Sequence, residues 1–265
     1  MKKGYGEIPG GQVHYREEGQ GEVILLLHSA GSSSDEFTGV IPYLSNKYRA
    51  IAIDLPGYGE SDKPARKYSV EDHARTIFQV MDVLKIRKAN VVGNHTGGEI
   101  GTEMAVTMPE RVGRLMMYGI PFFANDEEFL AYTSKSVYDP VIVRPDGGHL
   151  LEWWQRSIRY GDPPEIANQR TLDFLKAGER GGELHEAAFA YVSKLREKLP
   201  EIKCPTLLIG GTKDRHSILQ GEVKKLLSRA EMITIPDGPV LITRMMPEEF
   251  AEAILKFVEN SDLNL

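Results

Sequence analysis

One cysteine, Cys204, stands in 265 residues. Its isolation excludes an internal disulfide and a cysteine-built zinc site. Long apolar runs are also missing. Runs such as Val23–Leu27 fall far short of the roughly 20 residues that a membrane-spanning helix needs. Positive charge is not in excess either: 32 Lys and Arg face 38 Asp and Glu, a net −6 spread along the chain. No nucleic-acid partner is expected on that balance. No apolar stretch follows Lys2 and Lys3, so a secretory leader is not expected and a cytoplasmic location is. Neither G-x-G-x-x-G nor a P-loop occurs, and no H-x-H or H-x-x-x-H pair. The expectation is therefore no cofactor and no metal. Internal repeats and low-complexity tracts are absent too.

What is present is an alternation of apolar periods. Gln12–Arg16 alternates as an edge or second strand, and Val23–His28 is apolar enough for a strand covered on both faces. The serine-rich loop after His28 leads to Ser34-Asp35, N-cap chemistry for a helix to about Leu44. Tyr48–Leu55 is the next strand. Ser69–Asp72 opens an amphipathic helix to Leu84, with capping-box chemistry but not its strict spacing. A strand and helix follow over Lys88–Met108, then a strand over Arg111–Tyr118. This spacing predicts an α/β fold, a mostly parallel twisted sheet flanked by helices. The alternation stops between Pro121 and Glu201. Helix-like stretches at Asp126–Ser136, His149–Tyr160, Pro164–Gly178 and Leu184–Lys198 predict an inserted helical cap. Pro205–Gly211, a helix near Ile218–Ser228, a strand at Ala230–Pro236 and a helix over Pro247–Asn260 complete the sheet region. The expected division is a core of residues 1–120 and 202–265 and a cap of 121–201.

Within Lys88–Gly98 an apolar strand, a sharp step and paired glycines follow one another. A G-x-S-x-G frame puts a nucleophilic serine at the tip of such a strand–turn–helix unit. Here the frame is Gly93-Asn94-His95-Thr96-Gly97, and the tip is His95. Three further segments accompany it: Leu25–Ser32 (L-L-L-H-S-A-G-S), Asp54–Pro64 (D-L-P-G-Y-G-E-S-D-K-P) and Pro205–Asp214 (P-T-L-L-I-G-G-T-K-D). In this order they make the chain resemble the α/β-hydrolase superfamily over essentially its whole length. The resemblance is to capped small-molecule members such as esterases, meta-cleavage-product hydrolases, haloalkane dehalogenases and hydroxynitrile lyases. It implies Asp214 at the triad-acid position, the amides of Ala30 and Thr96 as oxyanion donors, and His28 as a loop brace.

Two triad positions depart from that pattern. His95 replaces the nucleophile, and Pro239 stands where the family histidine follows the last strand; no histidine comes after His216. A serine–histidine–aspartate acyl-enzyme route lacks both its hydroxyl and its base. An imidazole at the elbow reaches about two bonds further than a serine hydroxyl, toward the volume that Pro239 leaves open. The expectation is a His95–Asp214 dyad in which the carboxylate orients the ring and His95 serves as acid or base. Hydrolysis is the activity implied by kinship. A lyase, decarboxylase or isomerase on the same site and a catalytically inactive binding protein are the alternatives.

Ser29 is a candidate pocket hydroxyl, although a loop serine bonded to backbone is the commoner role. His149 and Trp153, four apart on one helix face, are candidates for substrate contact. Met116, Tyr118, Phe122 and Phe123 lead into the cap and are expected to line the pocket, or else to be core. His14, His73 and His185 are expected to be structural or solvated, and His216 is a weak second partner for the site.

Overall fold

A computed structural model describes residues 1–133 and 141–260. Eight strands form one sheet: β1 (Lys2–Ile8), β2 (Gly11–Glu18), β3 (Val23–Leu27), β4 (Arg49–Ile53), β5 (Ala89–Asn94), β6 (Val112–Tyr118), β7 (Thr206–Lys213) and β8 (Ala230–Pro239). Their spatial order is β1-β2-β4-β3-β5-β6-β7-β8. The β1/β2 and β2/β4 pairs are antiparallel and the rest parallel. Every residue of β3 and β5 is buried. The unbroken apolar sequence of β3 follows from burial on both faces, as parallel strands under helices require.

Helices α1 (Ile41–Leu44), α2 (Val70–Val83) and α3 (Thr96–Thr107) precede β6. The helix expected from Ser34 to Leu44 is instead a 3₁₀ turn over Ser34–Phe37, then α1. The Ser34 amide donates to Asp54 Oδ1 at 2.5 Å and Glu36 is drawn into the core, so tertiary bonds override the local preference. At α2 the capping box is complete. Ser69 Oγ accepts from the Asp72 amide and Asp72 Oδ2 from the Ser69 amide. The spacing is the strict one after all, with the shorter Asp in place of Glu.

Between β6 and β7 run α4 (Asp126–Thr133), α5 (Gly148–Arg159), α6 (Pro164–Ala177) and α7 (Glu183–Lys198). The end expected for the first of these, at 134–136, lies outside the described residues. This helical insertion is tied to the sheet region by a buried network. Arg244 donates to Asp173 Oδ2 at 2.6 Å and to Gln169 Oε1 at 2.6 Å, and Ser33 Oγ donates to Asp173 Oδ1 at 2.6 Å. Tyr58 adds two bonds, donating to the Gly181 carbonyl and accepting from the Leu184 amide. Arg244 belongs to α9 (Ile242–Met245), which follows α8 (Gln220–Leu226) and precedes α10 (Pro247–Glu259). Among the described residues, no helix is long and apolar enough to cross a membrane.

One feature of α3 conflicts with its burial. Glu99 is fully buried, and among the described residues neither carboxylate oxygen has a partner. Burial pushes its carboxyl well above the usual range. The folded protein therefore holds a proton that the unfolded chain releases above about pH 4.3. Stability is greatest below that pH and is lost as pH rises toward the folded value, by up to about 1.4 kcal/mol per pH unit. In urea unfolding at pH 5 and pH 8, Glu99→Gln is expected to gain on the wild type as pH rises. An unchanged difference between the two pH values would show that Glu99 is solvated.

Candidate functional site

β5 delivers the chain to His95, which has φ 46° and ψ −110°. Such a positive φ costs a non-glycine residue about 1–2 kcal/mol. The turn is held by the His95 amide donating to the Tyr118 carbonyl at 2.9 Å and by the Gly98 amide returning to the His95 carbonyl at 2.8 Å. Gly97 packs so closely on β3 that a Cβ there would run into the Leu27 carbonyl. The glycines of the frame thus let α3 start directly beneath the tip.

His95 Nε2 lies 3.3 Å from Asp214 Oδ2 at the end of β7. The same carboxylate is held on its other sides. Oδ1 accepts from the His216 amide at 3.0 Å, and Oδ2 accepts from Ser217 Oγ at 3.1 Å. Burial alone would raise the Asp214 carboxyl. The charge and hydrogen bond of His95, then His216, outweigh burial and hold it below the usual carboxylate range. An ionised carboxylate can only accept. Nε2 is therefore the ring nitrogen that carries the hydrogen, and Nδ1 is the one left over. At position 239, β8 continues through the proline, whose carbonyl accepts from Tyr118 Oη at 2.6 Å.

A cavity of about 270 Å³ opens over the elbow, with Ser29, Ala30, His95, Thr96 and His216 on its floor side. That is slightly below the roughly 300–1,000 Å³ of drug-sized pockets and suits a small molecule. Among the described residues, neither the Ala30 nor the Thr96 amide is spent on a protein acceptor. Both remain available to an oxygen at the start of α3, where the helix dipole favours negative charge.

Several sequence expectations change here. Ser29 borders the cavity, but its hydroxyl donates to Glu36 Oε2 at 2.8 Å and its amide to the same oxygen at 3.2 Å. Asn94 donates to the other Glu36 oxygen. The serine is bonded to a buried carboxylate that braces the loop and the strand end, not to a substrate position or to backbone. His28 braces the same loop, Nδ1 donating to the Ser29 carbonyl while Nε2 accepts from the Leu55 amide. His149 does not line the cavity. Its Nδ1 accepts from the Arg144 amide at 3.2 Å. The face of α5 turned to the cavity is Trp153, Arg156 and Ser157, continued by Tyr160 at the end of the helix. His149 sits a full turn before it, about 6 Å back along the axis. Trp153 does line the wall, stacked on Phe174 with centroids 4.3 Å apart. Met116, Tyr118 and Phe122 are core and Phe123 packs on Phe129; none of the four lines the cavity.

Two further histidines border the cavity: His216, the expected weak second partner, and His185, expected to be structural or solvated. The His216 ring centroid is 4.9 Å from that of His95, and burial followed by the charge of His95 keeps it below the ordinary imidazole range. His185 descends from α7, lowered by burial and then by Arg156 and Arg170. The position of His216 two residues after the acid was a usable signal; the cap helix bearing His185 had none. Gly119, at φ +54°, was also illegible. A Cβ there would lie 2.7 Å from His95 Nε2 and closer still to Asp214 Oδ2. Among the described residues, no cluster of three or more His, Cys, Asp or Glu side chains is arranged to hold a metal.

Comparison with known proteins agrees with this architecture. The family model described as alpha/beta hydrolase fold matches residues 22–164. An (E)-2-((N-methylformamido)methylene)succinate hydrolase of Acinetobacter baylyi is 24% identical over 258 residues, 94% of this chain and 95% of that one. An enol-lactonase from Burkholderia xenovorans superposes with a TM-score of 0.77 at 24% identity, covering 96% of this chain and 99% of its own. A meta-cleavage product hydrolase from Pseudomonas fluorescens gives 0.76 at 25% identity, covering 96% and 97%. Since the family model takes in more than half of the residues and the full-length folds superpose, this chain belongs to the α/β-hydrolase fold family.

Proposed function

We propose that the protein is a cofactor-independent enzyme hydrolysing a small ester- or lactone-type substrate, with His95 as acid and base. The observation that carries this is the His95–Asp214 contact at the floor of an open cavity. With Nε2–H directed to Asp214, Nδ1 takes a proton from water, and the resulting hydroxide adds to the substrate carbonyl. The Ala30 and Thr96 amides hold the oxyanion. As the tetrahedral intermediate collapses, the imidazolium returns its proton to the departing oxygen. Hydrolysis is supported by the names of the relatives; an elbow that presents no serine for acylation favours a non-covalent route over an acyl-enzyme. The division into a core of 1–120 and 202–265 and a cap of 121–201 fits this reading, since the insertion supplies the cavity wall.

A second reading rests on His216. Two imidazoles 4.9 Å apart, one kept neutral, let one group remove a proton and another deliver one. That arrangement suits isomerisation or elimination beside a carbonyl. The test is a panel of small esters, lactones and ketones followed by proton NMR in deuterium oxide. Cleavage by the wild type and its loss in His95→Ala are the expected result. Deuterium uptake beside the carbonyl without cleavage selects the second reading. Cleavage that persists in His95→Ala overturns the role of His95, and binding without reaction makes the fold a receptor.

A further inference from the structure

Charge on the cavity wall is lopsided. Arg156, Arg170, Lys213 and Arg215 line it against one carboxylate, Asp162. Arg170 engages Asp162, and Lys213 pairs with exposed Asp237 at 2.9 Å. Arg215 is different. Among the described residues it makes no ion pair; its guanidinium lies 5.0 Å from the Tyr132 ring centroid and donates to Tyr132 Oη at 2.9 Å. Arg156 lies in the same way over Trp153, at 5.1 Å. The Tyr132 face steadies the Arg215 guanidinium plane and leaves its remaining N–H groups for a planar acceptor. The field of Arg156 and Arg170 reaches into the site, because both push His185 down.

We infer that the substrate is an organic carboxylate, its anionic end held by Arg215 with Arg156 as the second cation. Its carbonyl would lie at His95, and its short apolar body would lie against Trp153 and Leu241, which also line the cavity. This rests on the cavity being the substrate site. A carboxylate matches a guanidinium edge with two parallel hydrogen bonds. Arg215 directly follows Asp214 in sequence, so the anion-binding group and the dyad share one turn after β7.

Titration calorimetry of the full chain with phenylacetate and its neutral isostere phenylacetamide tests the inference. The acid is expected to bind at least about tenfold tighter than the amide, the size of a charge-assisted bond at a partly screened site. Raising the salt from 50 to 500 mM should shrink that preference. Arg215→Met should abolish most of it while thermal melting shows the protein folded; Arg215→Lys should keep part. Equal binding of acid and amide overturns the inference, as does a preference that survives Arg215→Met combined with Arg156→Met. Inorganic phosphate binding tighter than any carboxylate would also overturn it. Carboxylate binding without turnover of any ester counts against the hydrolase reading and leaves this inference standing. Turnover confined to neutral esters does the reverse.

Discussion

With asparagine at position 214, kcat/KM is expected to fall by about 10²–10⁴-fold, the range seen when an orienting carboxylate is removed from a catalytic imidazole. The reason is the tautomer. Asp214 is held below the usual carboxylate range and can only accept, which forces the hydrogen of His95 onto Nε2 and leaves Nδ1 for the proposed role of base. An asparagine amide can donate as well as accept, so the ring is no longer forced into that form. The compensating charge for the imidazolium is also gone. The fold should survive, because an amide oxygen can still accept from the His216 amide, which Asp214 Oδ1 now caps. Steady-state kinetics beside thermal melting decide the point. Activity within about threefold of the wild type would mean that the 3.3 Å contact has no part in the reaction, since an orienting bond to a catalytic base is worth far more than that.

Gly119→Ala is the second substitution expected to have a large effect, although residue 119 contributes no functional group. Its φ of +54° lies in a region that alanine enters at a cost of about 1–2 kcal/mol. The added methyl would sit 2.7 Å from His95 Nε2 and collide with Asp214 Oδ2. The dyad cannot retreat, because the aspartate is pinned by Ser217 and His216, and the His95 backbone is pinned to Tyr118. A stability loss of about 2–4 kcal/mol is expected, at the upper end for a single substitution. A displacement of the dyad approaching 1 Å should lower turnover by about 10²-fold. Circular dichroism identifies a temperature at which the variant is still folded, and turnover measured there separates the two effects. Wild-type turnover under that condition would show that the dyad adapts and that its position is not set by Gly119.

How far this could be read from the chain depends on the range of the forces involved. β3 and the elbow were legible because burial on both faces demands an unbroken apolar strand, and a strained turn demands glycines beside it. β1 was not. Lys2–Ile8 carries two glycines and two lysines, and what makes it a strand is backbone pairing with β2 from Lys2↔Glu17 to Ile8↔Gly11. Side-chain pattern reports burial, and this edge strand is mostly exposed. The helix after Ser34 is broken by tertiary bonds of the Ser34 amide and Glu36 that no local pattern reports, and His149 is misplaced because a helical period says which residues share a face, not where along the axis that face meets a cavity.

By itself, the sequence determined the α/β class, the helical insertion, a histidine at the elbow tip, a proline at 239 and an aspartate at 214. These are local or periodic features, imposed by strand burial, turn geometry and residue chemistry within one segment. Only the tertiary structure decided that Nε2 and not Nδ1 meets the carboxylate, that His216 and His185 border the cavity, and that Ser29 is bonded to Glu36. It also decided that the cap contributes Arg156 and Arg170 beside Arg215. Each of these depends on the packing of segments distant in sequence, where a shift of a single helical turn, about 5.4 Å, exchanges one side chain for another.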